Sequence, residues 1–263
     1  MDPETIAFAT AQDLQDAYKR GDTDPASVVE ALLRRIANWN PRLNAYRIVL
    51  PELAEADGAA SAARWRAGRA LGPLDGVPVA IKDLADIPGT ATTSGSAALL
   101  QNDATHWSTV AQRLRGAGAI ILGKTQMVEF ACGGWGTNQQ FGTPWNPWDL
   151  DVHRIPGGSS SGSAVAVAAG LATAALGTDT GGSVRIPAGL CGLTGLKTCV
   201  GRVSTAGIQP LSPSLDTVGP LARTPQDAAQ IYAAIHGPDA RDPKTFTYAP
   251  EILPTELGRS VSG

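Results

Sequence analysis

Cysteine, histidine and charged side chains are all scarce in this sequence, and each shortage argues against a class of protein. The three cysteines, Cys132, Cys191 and Cys199, are an odd number at irregular spacing, which argues against a disulfide framework. The three histidines lie far from any cysteine, so we expect a reduced protein that holds no metal and no cofactor. Charged residues make up 17% of the chain and the basic ones are scattered, unlike the basic face of a nucleic-acid-binding protein.

Long apolar runs are also missing. The N-terminus starts with acidic residues and has no apolar core, so it does not resemble a signal peptide. The longest apolar run, residues 164–177, is too short for a membrane span and consists mostly of alanine and glycine. We therefore expect a cytoplasmic protein that binds neither a membrane nor nucleic acid.

Helical and strand-like segments alternate along the chain, which predicts an α/β fold. Helices are predicted over 10–20, 25–39, 52–68, 107–117, 163–172 and 225–236, and buried strands over 77–84, 119–123 and 173–180. Thr10 and Asp24 have the residue types and spacing of helix N-caps. The last dozen residues end in a Gly/Ser run without periodicity, which predicts a linker.

Residues 118–125, GAIILGKT, match the pattern of a phosphate-binding loop. The four variable positions are strand residues, however, and a strand uses its N–H groups in the sheet ladder. We therefore favour a strand that ends near Lys124 over a nucleotide-binding loop.

Two segments place paired glycines just before a serine: PGGSSSGSAVAVAAG from residue 156 and GTDTGGSVRIPAGLCGLTGLKT from residue 177. Paired glycines let the backbone turn tightly and aim successive N–H groups at an anion. A serine at the end of such a turn is well placed as a nucleophile, with an oxyanion hole formed by neighbouring N–H groups. Those groups would belong to Thr180, Gly181, Gly182 and Ser183. The alternatives are a flexible hinge at GGSSSGS and tight turns whose serines only cap helices.

A serine nucleophile needs a base, and the residues leave two lysines open. None of the histidines has a motif-like setting. A lysine must be neutral to accept a proton, and burial can lower its pKa enough. Lys82 follows the apolar run VPVAI and Lys124 follows AIILG, so both fit this demand.

From about residue 10 to 243 the sequence resembles the amidase signature family. The two glycine–serine segments are similar to the family's long signature, and GVPVAIKD, GAIILGKTQMVEF, GTPWNPWD and GRVSTAGIQPLSPSLDTVGPLART are similar to its flanking blocks. The resemblance implies α/β/α layers around a mixed β-sheet. It also implies one domain over residues 1–263, with a signature core at about 77–225 and N-terminal helices at about 10–70.

Carried onto this sequence, the resemblance implies a Ser–cis-Ser–Lys triad that hydrolyses a small carboxamide. Ser183 would be the nucleophile. Ser159, after a cis peptide bond to Gly158, would be the bridging serine. Lys82 would be the base, which decides against Lys124.

The resemblance also assigns supporting roles. Gly133, with Gly134, would lie along the substrate cleft. Arg185 and Asp216 are interpreted as structural residues in buried polar networks. The other serines of the first segment, Ser160, Ser161 and Ser163, are interpreted as helix-start and hydrogen-bonding residues.

Members of this family are usually much longer than 263 residues, so we expect that the C-terminal part of the domain is missing. That part would complete the sheet and wall the acyl pocket. One alternative function is an A-type glutaminase subunit of an aminoacyl-tRNA amidotransferase, which acts with partner subunits. Another is an inactive fragment that keeps the triad by descent. A homo-oligomer is also open.

Overall fold

The computed structural model describes residues 1–248, which surround one mixed sheet. Its α-helices are α1 (Pro3–Phe8), α2 (Ala11–Arg20), α3 (Pro25–Leu43), α4 (Pro51–Arg66), α5 (Thr109–Gly116), α6 (Ser161–Ala168), α7 (Arg185–Cys191) and α8 (Pro225–Ile235). Its strands are β1 (Tyr46–Val49), β2 (Pro78–Lys82), β3 (Ile120–Thr125), β4 (Ala174–Asp179), β5 (Thr194–Gly195) and β6 (Thr217–Ala222). The linker predicted over the last dozen residues lies outside the described residues.

The helices α2 and α3 begin where side chains satisfy their first N–H groups. The Thr10 hydroxyl accepts from the N–H of Asp13 at 3.1 Å, and Asp13 accepts from the N–H of Thr10 at 3.0 Å. This reciprocal pair is a capping box. Asp24 accepts from the N–H of Ser27 at 2.9 Å and stands just before the helix-starting Pro25. Both predicted helix starts are therefore confirmed, whereas the sequence pattern does not predict the short α1.

The six strands are arranged in the order β1-β3-β2-β4-β6-β5. The central strands β3, β2 and β4 run parallel, and the remaining pairings are antiparallel. The parallel strands are buried along their whole length, as expected of strands with helices on both faces. Their carboxyl ends lie at one edge of the sheet, where Lys82, Thr125 and Asp179 are the last strand residues.

Successive side chains of these strands point to opposite faces, and helices cover each face. Ala80 and Leu122 belong to a core cluster with residues of α3 and α6. Ile81 and Ile121 belong to a second cluster with residues of α5 and α8. The architecture is therefore α/β/α layers around a mixed sheet, which confirms the predicted fold class.

The predicted helices and the three predicted strands are all present, with bounds close to those expected. The strands β1, β5 and β6 and the helix α7 are not predicted. β5 has only two residues, and β6 contains Gly219 and Pro220, residue types that normally weaken a strand. Pairing with β4 and β5 holds these residues extended despite their low strand propensity.

Among the described residues, membrane-spanning helices, metal-ligating groups and disulfides are all absent. Between residues 1 and 248, no helix has the length and apolar character needed to cross a membrane. That same range contains no group of three or more metal-ligating side chains placed to hold an ion. The three cysteines are free thiols, and only Cys191 is buried.

Candidate active site

The candidate site lies at the carboxyl edge of the parallel strands. Lys82 ends β2, and Thr178 and Asp179 end β4, its parallel neighbour. The serine-rich segment approaches the same edge just before α6, which brings Ser159 next to Lys82. Strand pairing thus assembles polar side chains that are far apart in the sequence.

Lys82 is buried, with 1% of its surface exposed, and its amine contacts two hydroxyl groups. Nζ donates to Ser159 Oγ at 2.7 Å and to Thr178 Oγ1 at 2.8 Å. Burial lowers the pKa of Lys82 to about 7, although the carboxylates of Asp179 and Asp216 act in the opposite direction. A substantial share of this lysine is therefore neutral near pH 7 and able to accept a proton.

Ser183 lies in the turn between β4 and α7, and its backbone is hydrogen-bonded to the serine-rich segment. Its carbonyl oxygen accepts from the N–H of Ser160 at 3.2 Å. The side chain is half-buried, and within residues 1–248 no hydrogen bond joins its hydroxyl to Ser159. The structure therefore brings Lys82 and Ser159 into direct contact and holds Ser183 nearby through its backbone. Proton transfer between the two serines stays a prediction.

The buried carboxylate of Asp179 occupies the inside of the turn that carries Ser183. Its Oδ1 accepts from the N–H of Gly182 at 2.7 Å, and its Oδ2 accepts from the N–H of Val184 at 3.2 Å. The Gly182 N–H is thus already used within the protein, which conflicts with its predicted place in an oxyanion hole. Thr180 is half-buried and Gly181 is exposed, so their N–H groups, with that of Ser183, are the remaining candidates.

Arg185 and Asp216 both belong to polar networks, but only one of them is buried. Asp216 is 6% exposed and accepts from the N–H groups of Leu211 and Ser212, each at 2.9 Å. The Thr180 hydroxyl donates to the other oxygen of Asp216. Arg185 pairs with the buried Asp179, yet 54% of its side chain is exposed. The prediction of a buried position is therefore wrong for Arg185, because its guanidinium reaches inward from the surface.

The peptide bond between Gly158 and Ser159 is cis, and the loop at 133–136 packs directly against it. The Gly158 N–H donates to the carbonyl of Gly134 at 2.8 Å. A Cβ at Gly158 would lie 2.7 Å from the Gly136 nitrogen and 2.9 Å from the Gly133 carbonyl oxygen, closer than such atoms approach. Glycine is therefore required at Gly158 for close packing, and Gly133 contacts the residue just before Ser159, while its place along a substrate cleft stays a prediction.

Lys124, the other candidate base, is held in an ion pair. Its Nζ lies 2.8 Å from Asp83 Oδ1, and the side chains of both residues are almost fully buried. It also donates to the carbonyl of Ala91 at 2.9 Å. A register shift between β2 and β3 pairs Lys124 with Ile81 instead of Lys82, so alternation sends the two lysine side chains to opposite faces of the sheet.

Two of the three remaining serines of the segment connect the start of α6 to β4 by hydrogen bonds. Ser160 Oγ accepts from the N–H of Thr178 at 3.3 Å, and Ser163 Oγ donates to the carbonyl of Leu176 at 2.9 Å. The Ser161 hydroxyl is buried and has no hydrogen-bond partner among the described residues. The segment is thus a packed helix start and not a hinge. Sequence reasoning missed the hydrogen bonds made by Thr178 and Asp179, although both residues lie within GTDTGGS, three and two positions before its glycine pair.

Comparison with known proteins shows the family of this chain. A model of the amidase family matches residues 27–258. The A-type subunit of glutamyl-tRNA(Gln) amidotransferase from Halorhodospira halophila is 45% identical over 254 residues, covering 97% of this chain and 52% of that protein. The corresponding protein from Deinococcus radiodurans is 46% identical over 236 residues, covering 90% and 48%. The chain spans about half the length of these curated relatives.

Solved structures agree with this result. Native peptide amidase from Stenotrophomonas maltophilia matches with a TM-score of 0.87 at 41% identity, covering 93% of this chain and 51% of that one. An amidase family protein from Bacillus anthracis matches with a TM-score of 0.89 at 32% identity, covering 95% and 51%. By sequence and by structure, the chain belongs to the amidase family.

Proposed function

We propose that this protein hydrolyses the C–N bond of a small carboxamide through an acyl-enzyme on Ser183. The observation that carries the proposal is the buried Lys82, whose amine lies 2.7 Å from Ser159 Oγ while the Ser183 turn bonds to the next residue, Ser160. Membership in the amidase family supports the same class of reaction.

In the proposed mechanism, neutral Lys82 takes a proton from Ser159 as Ser159 takes one from Ser183. The Ser183 oxygen attacks the amide carbonyl and forms a tetrahedral intermediate, whose oxyanion is stabilised by backbone N–H groups of the turn. When the C–N bond breaks, the proton returns through Ser159 to the leaving nitrogen. Water then attacks the ester, gives up a proton along the same path, and restores Ser183 as the carboxylic acid leaves.

A fluorophosphonate probe tests the nucleophile. We expect peptide mapping to find the probe on Ser183, and Ser183→Ala to abolish labelling. Ser161→Ala is the matched control, because it removes a hydroxyl without a described partner and should leave labelling unchanged. Label on a different serine would contradict the assignment, and a folded chain without any label would favour the inactive fragment.

The pH dependence tests the base. Burial lowers the pKa of Lys82 to about 7, so the labelling rate is expected to rise with pH through about 7 and to level off above it. The sign follows because only the neutral amine accepts a proton. A labelling rate that rises only near pH 10, where an ordinary lysine loses its proton, would contradict a base whose pKa burial has lowered. A rate independent of pH would exclude any lysine base.

A second candidate is a glutaminase that delivers ammonia to partner subunits. It is favoured by the two relatives described above, both named as the A-type subunit of a glutamyl-tRNA(Gln) amidotransferase. The peptide amidase match favours a free amidase instead. A panel of glutamine, asparagine, peptide amides and aryl amides distinguishes them. Turnover of glutamine alone supports the glutaminase, and turnover of the other amides supports the free amidase.

A further inference from the structure

One buried carboxylate holds the backbone on both sides of Ser183. Asp179 accepts from the N–H of Gly182 through one oxygen and from the N–H of Val184 through the other. Ser183 is the residue between them. The position of its hydroxyl relative to Ser159 therefore depends on a carboxylate that itself need not touch a substrate.

Among residues 1–248, this carboxylate has a single close counter-ion, which reaches it from the surface. The Arg185 guanidinium donates to the two Asp179 oxygens at 2.9 and 3.0 Å, the bidentate geometry that gives strong ion pairs. Asp179 itself has no exposed side-chain surface. Burial would raise the pKa of Asp179, but the Arg185 guanidinium and the N–H groups of the turn keep it below its usual range.

The negative charge of Asp179 acts on Lys82. Asp179 faces Lys82 from the end of β4, and Asp216 faces it from the segment before β6; both favour the protonated amine. Asp83, the next residue after Lys82, forms an ion pair with Lys124, which compensates its charge. With Arg185 in place, Asp179 belongs to a neutral pair, so its effect on Lys82 is reduced.

We propose that Asp179 and Arg185 are positioning residues for the proposed reaction: Asp179 holds the turn that carries Ser183, and Arg185 neutralises Asp179 so that Lys82 can lose its proton. This inference rests on the proposed function. It assigns to an ion pair at the rim of the site both the geometry of the nucleophile and the proton affinity of the base.

The test compares the pH dependence of fluorophosphonate labelling in four variants. Arg185→Met leaves the carboxylate uncompensated and should move the midpoint of the rise to higher pH, on the order of half a unit. Asp179→Asn should move it to lower pH and lower the plateau rate about tenfold or more, because the turn loses its hold. Arg185→Lys keeps the charge and should restore the midpoint. The double variant Asp179→Asn/Arg185→Met is also neutral and should return close to the wild-type midpoint.

Arg115→Met is the matched control, because Arg115 also makes a bidentate, half-exposed pair, with Asp57, away from the site. Its midpoint should not move. Reduced rates with an unchanged midpoint in Arg185→Met would show a merely structural pair and overturn the inference. If Asp179→Asn does not fold, Arg185→Met and Arg185→Lys still decide. Failure of the wild-type chain to label Ser183 would instead reject the proposed function.

Discussion

Lys82→Met is expected to lower kcat/KM for amide hydrolysis about 10³-fold or more, with the fold intact. The methionine side chain fills a similar volume but can neither accept the proton from Ser159 nor return it to the leaving nitrogen. Within the described part of the chain the amine of Lys82 bonds only to hydroxyl groups, so no buried carboxylate loses a hydrogen-bond partner. Amide turnover and probe labelling measure the loss of activity, and circular dichroism checks that the fold is intact. A variant that still labels at the wild-type rate would exclude Lys82 as the base.

The same variant is expected to be at least as stable as the wild type at pH 7. Between pH 10.5 and about 7 the unfolded chain binds a proton on this lysine that the folded chain does not bind. The free energy of unfolding of the wild type therefore falls as the pH falls through this window, and Lys82→Met lacks that loss. Denaturant unfolding at pH 7 and pH 10 measures the difference. A larger advantage of the variant at pH 10 than at pH 7 would contradict the sign.

Lys124→Met is expected to show the opposite phenotype, a large loss of stability. Its removal leaves the buried Asp83 without its counter-charge, and breaking such a pair costs about 3–5 kcal/mol. For a chain of this size the melting temperature should fall by about 10 °C. Below the new melting temperature, the probe should still label Ser183.

Adding Asp83→Asn to Lys124→Met provides the control. The double variant removes both buried charges and should recover part of the lost stability, which a simple packing defect at Lys124 would not allow. Loss of labelling in Lys124→Met without any change in melting temperature would mean that Lys124, and not Lys82, supplies the base. The two lysine variants together therefore separate chemistry from stability.

Local chemistry made much of the fold predictable. The N-caps at Thr10 and Asp24 depend on side chains within three residues of the groups they satisfy, so the sequence alone indicates where α2 and α3 begin. The buried strands β2, β3 and β4 are short apolar runs, and their alternation with helices predicts the layered class. The candidate triad of two serines and a lysine was predicted from the family resemblance, and its catalytic roles stay a prediction.

The rest depends on contacts between distant segments. Nothing in the residues around Lys82 or Lys124 says which one meets a carboxylate, because that depends on how β2 and β3 pair. Likewise, the Gly182 N–H looks available in the sequence, and only the folded turn shows that Asp179 accepts it. The two-residue β5 exists because β6 provides its partner, so local propensity does not predict it.

The register shift between β2 and β3 also determines where two like charges lie. Val79 pairs with Ile121, but Ala80 pairs with Gly123, so Leu122 is one extra residue on β3. Without that shift Lys82 would pair with Lys124, and both side chains would lie on one face of the sheet, where like charges repel. The same short motif, an apolar run followed by lysine, occurs on both strands. The shift of one residue puts its two copies out of phase, so that one lysine donates to hydroxyl groups and the other pairs with a carboxylate.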